Sequence, residues 1–221
     1  MARCNESKAP DRANAILKHM INRYEQGFTE AKPDAHCFSA VISAYANRGD
    51  VQCAQQVFTE QINVVQSTSD QDFLPNTACF NAVINAWSNN DRPDSLQTSE
   101  VILQRMQDLA ESSGEPSLRP NVVSFNSVLK AWNQSNDRNA PFRCEQILQR
   151  MQHLYGKGHV DCEPNVISFS TVLDCGANSS RKEAPERAEA ILRRMSYLHE
   201  VGNKLAKPNL VLHNTVMKAW A

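Results

Sequence analysis

Apolar and polar positions alternate along this chain in a pattern that returns every 44 residues or so. Pro33 to Tyr45 reads PDAHCFSAVISAY, and the same arrangement recurs as PNTACFNAVINAW from Pro75, PNVVSFNSVLKAW from Pro120, PNVISFSTVLDCG from Pro164 and PNLVLHNTVMKAW from Pro208. The fifth residue after each Pro-Asn or Pro-Asp pair falls at Ser39, Asn81, Asn126, Ser170 and Asn214, in steps of 42, 45, 44 and 44. A second block interleaves with the first: ANAILKHM from Ala13, SEVILQRM from Ser99, CEQILQRM from Cys144 and AEAILRRM from Ala188, with a degenerate AQQVFTEQ from Ala54. Two blocks that keep one register over the whole chain define an internal repeat.

Both blocks predict helices. Phe125, Val128, Leu129 and Trp132 are spaced i, i+3, i+4 and i+7, and so are Ile147, Leu148, Met151 and Leu154; each set forms one apolar stripe at the 3.6-residue period. The proline before each first helix stops the preceding chain, and the Asn or Asp after it suits an N-cap. Pro10, Pro141 and Pro185 each stand seven residues before the leucine of a second block, where proline fits the first turn of a helix. The connecting stretches, such as SNNDRPDS from Ser88 and NQSNDRNAP from Asn133, have loop composition.

One such helix pair cannot bury both its faces, so neighbours must stack. The expectation is an all-α fold, a right-handed α-solenoid of helix–turn–helix repeats. The boundaries run 1–34 (a partial repeat, second helix only), 35–76, 77–121, 122–165, 166–209 and 210–221 (a partial repeat, first helix). A chain starting inside one repeat and stopping inside another is expected to be a fragment of a longer array. Tyr45, Trp87, Trp132 and Trp220 are expected to pack between helices. Gly176 replaces the aromatic residue in the fourth repeat, which weakens that helix by roughly 1 kcal/mol from propensity alone.

Composition narrows the class. With 41% hydrophobic and 21% charged residues the chain reads as globular, and no apolar run approaches a membrane span. The N-terminus lacks the apolar core of a secretory signal and is short for a transit peptide. Seven scattered cysteines without a C-x-x-C pair fit reduced core fillers, Cys37 and Cys79 at matching repeat positions. The net charge of −1 conceals an asymmetry: residues 33–118 hold 3 basic and 11 acidic side chains, residues 119–221 hold 14 and 9. Only the C-terminal half offers a basic surface.

The tract PNVVSFNSVLKAW, followed by a helix with ILQRMQHL and then another Pro-Asn, resembles the pentatricopeptide repeat family. The resemblance spans the chain, four complete repeats flanked by two halves. Linker insertions such as ESSGEPSLR and YGKGHVDCE lengthen the repeat beyond the family's usual 35 residues. The Trp-Leu-Gly-Tyr signature of tetratricopeptide repeats is absent.

The resemblance implies a single-stranded RNA partner, read one base per repeat. The fifth residue of each first helix and the last residue of the repeat would touch the base edge: Ser39 with Asn76, Asn81 with Asn121, Asn126 with Asn165, Ser170 with Asn209, and Asn214 with a partner beyond Ala221. Asn offers a donor and an acceptor on a short arm, and Ser a hydroxyl that serves either way. By the same resemblance Ser with Asn favours adenine and Asn with Asn a pyrimidine, so the complete repeats spell adenine, pyrimidine, pyrimidine, adenine, 5′ to 3′. Val123, Ile167 and Val211 would sandwich neighbouring bases; His36 and Ala78 depart from that role. Late in the first helix the family often has a basic residue, where this chain has Asn47, Asn89, Gln134 and Asn178. A mitochondrial or plastid location and a part in RNA processing, stabilisation or translation follow from the resemblance alone. If each base contributes roughly 1–3 kcal/mol, four bases recognise a site without making it unique in a genome.

Other signals are weak. Arg48-Gly49-Asp50 reads as an inter-helix turn, and His159 with Cys162 lacks the second ligand pair of a metal site. Nucleophile elbows, zinc-protease helices and phosphate-cradling loops are missing, so no enzyme active site, cofactor or small-molecule substrate is expected. The rival reading is a protein-interaction scaffold, which the acidic stretch 33–118 favours.

Overall fold

The computed structural model describes residues 8–68, 70–90, 92, 94–135, 137–177 and 183–221. The fold is all-α and built of helical repeats, with no strand among the described residues. First helices of the repeats are α2 (Ala35–Arg48), α4 (Thr77–Ser88), α6 (Val122–Gln134), α8 (Val166–Ala177) and α10 (Leu210–Trp220). Second helices are α1 (Ala9–Glu25), α3 (Val51–Thr68), α5 (Ser95–Ser113), α7 (Ala140–Gly156) and α9 (Ala184–Glu200). Pro10, Pro141 and Pro185 lie in the first turns of α1, α7 and α9, where the missing N–H costs no intrahelical bond.

The chain forms two compact units, Met1–Arg119 and Pro120–Ala221. In the first, α2 packs on α1, α3 and α4, and α4 packs on α3 and α5. In the second, α6 packs on α7 and α8, and α8 packs on α7, α9 and α10. The first helices thus form the inner layer of each unit. Their apolar stripes supply its centre: Phe38, Ile42, Phe80, Val83 and Ile84 in one unit, Phe125, Leu129, Phe169 and Leu173 in the other, all buried.

Each linker contains a feature that its loop-like composition does not announce. A single 3-10 turn precedes every Pro-Asn or Pro-Asp: Thr29–Ala31, Gln71–Phe73, Pro116–Leu118, Val160–Cys162 and Lys204–Ala206. The last residue of four of them, Phe73, Leu118, Cys162 and Ala206, is buried in the core. Phe73 meets the rings of Tyr24 and Phe38 edge-on, with centroids 5.2 and 6.4 Å away. Six residues before the proline stand Gly27, Gly114, Gly158 and Gly202, all with positive φ, the left-handed geometry that ends the preceding helix.

The aromatic positions separate. Tyr45, Trp87 and Trp132 are buried, and the Trp87 indole donates to Gln55 Oε1 at 3.0 Å. Trp220 is 55% exposed and does not pack between helices, contrary to the sequence-based expectation. The helices that cover its counterparts have no equivalent next to α10 among the described residues. Gly176 lies inside α8, and a Cβ built there meets nothing within 4 Å.

The cysteines at 37, 53, 79, 144, 162 and 175 are free thiols. The Cys79 and Cys162 thiols donate to the carbonyls of Ala35 and Pro120, 3.2 and 3.0 Å away, and burial pushes the Cys162 thiol up to about 11. Arg48-Gly49-Asp50 is a turn: Gly49 has φ 80°, Asp50 caps α3 through the Cys53 amide, and Arg48 pairs with Asp11 and Asp50. Cys4 and Asn178 lie outside the described residues.

Candidate nucleic-acid interface

The residue after each proline is the N-cap of a first helix, and its side chain turns back to cap that helix. Asp34 accepts from the Cys37 amide at 2.9 Å, Asn76 from Cys79 at 3.0 Å, Asn165 from Ser168 at 3.1 Å and Asn209 from Leu212 at 3.0 Å. Asn121 accepts from both Val123 and Ser124 at 3.1 Å, and Ser124 Oγ accepts from the Asn121 amide in return, a capping box. Each closing residue therefore has its carbonyl oxygen committed to its own helix.

The second residue of each first helix points away from the core. Val123, Ile167 and Val211 are 53%, 59% and 67% exposed, and His36 and Ala78 are exposed as well. An exposed branched apolar side chain at the same register of three successive helices forms a surface on which flat rings can lie.

The fifth residues behave differently by type. Ser39 and Ser170 turn their hydroxyls to the carbonyls of His36 and Ile167, 3.0 and 3.1 Å away in their own helices. This leaves their lone pairs outward, and no hydrogen bond joins Ser39 to Asn76 or Ser170 to Asn209 among the described residues. Asn214 is exposed on α10. Asn81 belongs to the first unit and Asn121 to the second.

Asn126 and Asn165 do meet. Asn126 Nδ2 donates to Asn165 Oδ1 at 3.4 Å, and the buried Ser168 hydroxyl donates to Asn126 Oδ1 at 2.8 Å. An Asn five residues into a helix reaches across to the cap of the next repeat, which a serine is too short to do.

This trio sits inside a recognisable segment. Residues 114–178 match the family model of the pentatricopeptide repeat domain. That segment is similar to a pentatricopeptide repeat domain. Pentatricopeptide repeat proteins are generally RNA-binding rather than enzymatic, and they are typically organellar. The matched stretch runs from the Gly114 linker through α6 and α7 to α8, so it contains Asn126, Asn165 and Ser168. No curated protein matches the chain significantly.

Charge divides along the same line as the units. Residues 1–119 hold 10 basic and 15 acidic side chains, residues 120–221 hold 13 and 9. Within the first helices, Lys130 and Lys218 are exposed four residues beyond Asn126 and Asn214, hence on the same helix faces. Later in the helices, Asn47, Asn89 and Gln134 are exposed and uncharged, and the basic residue is marked instead by its i, i+4 spacing from the fifth position. Asp174 holds the equivalent place beyond Ser170, where it accepts from Thr215 at 3.4 Å. Among the described residues no helix is long and apolar enough to cross a membrane.

Proposed function

We propose that this chain binds single-stranded RNA sequence-selectively, one base per repeat. The fifth and closing residues of the repeats 35–76, 77–121, 122–165 and 166–209 would read the base, and the exposed second residues would sandwich it. The observation that carries this reading is the Asn126–Asn165 pair: two side-chain amides joined across successive first helices, with Val123 and Ile167 exposed on those same helices. A structural role alone does not require the paired amides to be flanked by exposed branched side chains. Lys130 and Lys218 supply backbone contacts. In chain order the pairs Ser39/Asn76, Asn81/Asn121, Asn126/Asn165 and Ser170/Asn209 spell adenine, pyrimidine, pyrimidine, adenine.

Work on transcripts in a mitochondrion or plastid, in processing, stabilisation or translation, is the setting this reading suggests. A second reading has a specific basis in the first unit, whose 15 acidic against 10 basic side chains suit a basic protein surface better than phosphates.

Binding of a short A-Y-Y-A RNA against scrambled sequences, at two salt concentrations, tests the proposal. Selective, salt-sensitive binding is expected; binding with neither preference nor salt dependence rejects it. Asn126→Ser is expected to move the third-base preference from pyrimidine towards purine.

A further inference from the structure

Three groups around Asn126 form a closed ring of hydrogen bonds. The Ser168 hydroxyl donates to Asn126 Oδ1 at 2.8 Å, Asn126 Nδ2 donates to Asn165 Oδ1 at 3.4 Å, and the Asn165 backbone N–H donates to Ser168 Oγ at 3.3 Å. Asn165 Oδ1 is held in place independently, because it accepts from the Ser168 backbone N–H at 3.1 Å as the cap of α8. That fixed acceptor decides the orientation of Asn126, since turning the amide over would set two carbonyl oxygens against each other. Ser168 is wholly buried, so its single proton has no water to serve, and the nearer of its two acceptors is Asn126 Oδ1, against 3.1 Å to Asn165 Oδ1.

We infer that Ser168 is a positioning residue for base selection: by holding Asn126 Oδ1 inward, it makes the third repeat present amide donors only. The inference rests on the RNA reading proposed above. With both carbonyl oxygens engaged, Asn126 and Asn165 face a base with their Nδ2 groups. Cytosine offers two adjacent acceptors, N3 and O2, on its Watson–Crick edge; uracil places an N–H between its two carbonyls, opposite one of the donors. The device depends on a hydroxyl at the third position of the following first helix. At that position Cys79 instead gives its proton to the Ala35 carbonyl, 3.2 Å away, and Leu212 has none to give. A serine-closed repeat is therefore stricter than one closed by cysteine or leucine.

The experiment titrates the full chain with four RNAs that differ only at the third base, for wild type, Ser168→Ala and Ser168→Cys, with helical circular dichroism recorded for each. Wild type is expected to favour cytosine over uracil by about fivefold, the worth of one ordinary hydrogen bond. In Ser168→Ala, Asn126 Oδ1 loses the donor that holds it inward and becomes free to accept from uracil N3–H, so this preference falls below about twofold, while the other three positions and the salt dependence stay unchanged. An unaltered third-base preference in an otherwise selective Ser168→Ala protein overturns the inference and leaves RNA recognition standing. Uniform weakening at all four positions overturns it too, showing a structural role. Wild type that binds no RNA removes the RNA reading and the inference with it. Where Ser168→Ala loses helicity, Ser168→Cys, nearly isosteric with a weaker donor, decides by the same criterion: a narrowed third-base preference supports the inference, an unchanged one overturns it.

Discussion

The Lys32 ammonium lies 2.7 Å from Asp70 Oδ2, and the Tyr24 hydroxyl donates to the same oxygen at 2.6 Å. The contact ties the linker after α1 to the linker after α3, so it clasps adjacent repeats where their 3-10 turns emerge. The Lys32 hydrogen bond, supported by Tyr24, holds the Asp70 carboxyl down at about 2, below its ordinary 3.8.

A carboxyl depressed on folding stabilises the native state above its unfolded pKa and loses that contribution as pH falls through the folded one. The clasp is therefore expected to be intact at pH 5 and above and to weaken between about pH 4 and 2. Thermal midpoints measured over that window should fall less steeply for Asp70→Asn than for wild type. Parallel curves would remove Asp70 from the acid response.

Phe73→Ala should be among the most damaging substitutions in the first unit. The ring is fully buried against Tyr24 and Phe38, and removing a buried phenylalanine costs about 3–5 kcal/mol. Denaturant unfolding measures it. A loss below about 1 kcal/mol would mean that the linker turn is not part of the core.

Gly176→Ala is expected to stabilise the chain by about 1 kcal/mol, because the position is α-helical and the new methyl group meets no atom within 4 Å. In the wild-type protein, amides 174–177 should exchange faster than amides 130–133, and the substitution should narrow that gap. A destabilised variant would show that the space beside Gly176 is not usable.

Lys130→Ala should weaken RNA binding about equally for all sequences and lower the slope of log affinity against log salt by about 1. Lys130 is exposed on the Asn126 face of α6, which places it for phosphate rather than base contact. An unchanged slope would take Lys130 off the RNA path.

The repeat helices were legible because their apolar stripes run over three or more turns, enough to show a 3.6-residue period. Phe38, Phe80, Phe125 and Phe169 announce the core directly, and all four are buried. The 3-10 turns were not legible. Three residues cannot show a period, and their core-facing ends are Phe73, Leu118, Cys162 and Ala206, no two alike. Alignment backward from each proline would have exposed them, since all four stand two residues before it. Trp220 was misread because burial belongs to the neighbour as much as to the residue. Of the candidate site, the amide positions were visible as a register, but Ser168 was not, because its part depends on a contact across 42 residues.

The capping geometry at Asn76, Asn121, Asn165 and Asn209 limits how such an array can be recoded. A substitution at a closing position is filtered twice, once by the base it would face and once by the helix it must start. Only Asn, Asp, Ser and Thr, with Gly as a weaker fifth, begin a helix well. Asp34 shows that the exchange of amide for carboxylate is tolerated in this framework. Retargeting by changing closing residues thus draws on an alphabet of four or five letters fixed by helix nucleation, while the fifth positions, free of that duty, carry the greater latitude for new specificity.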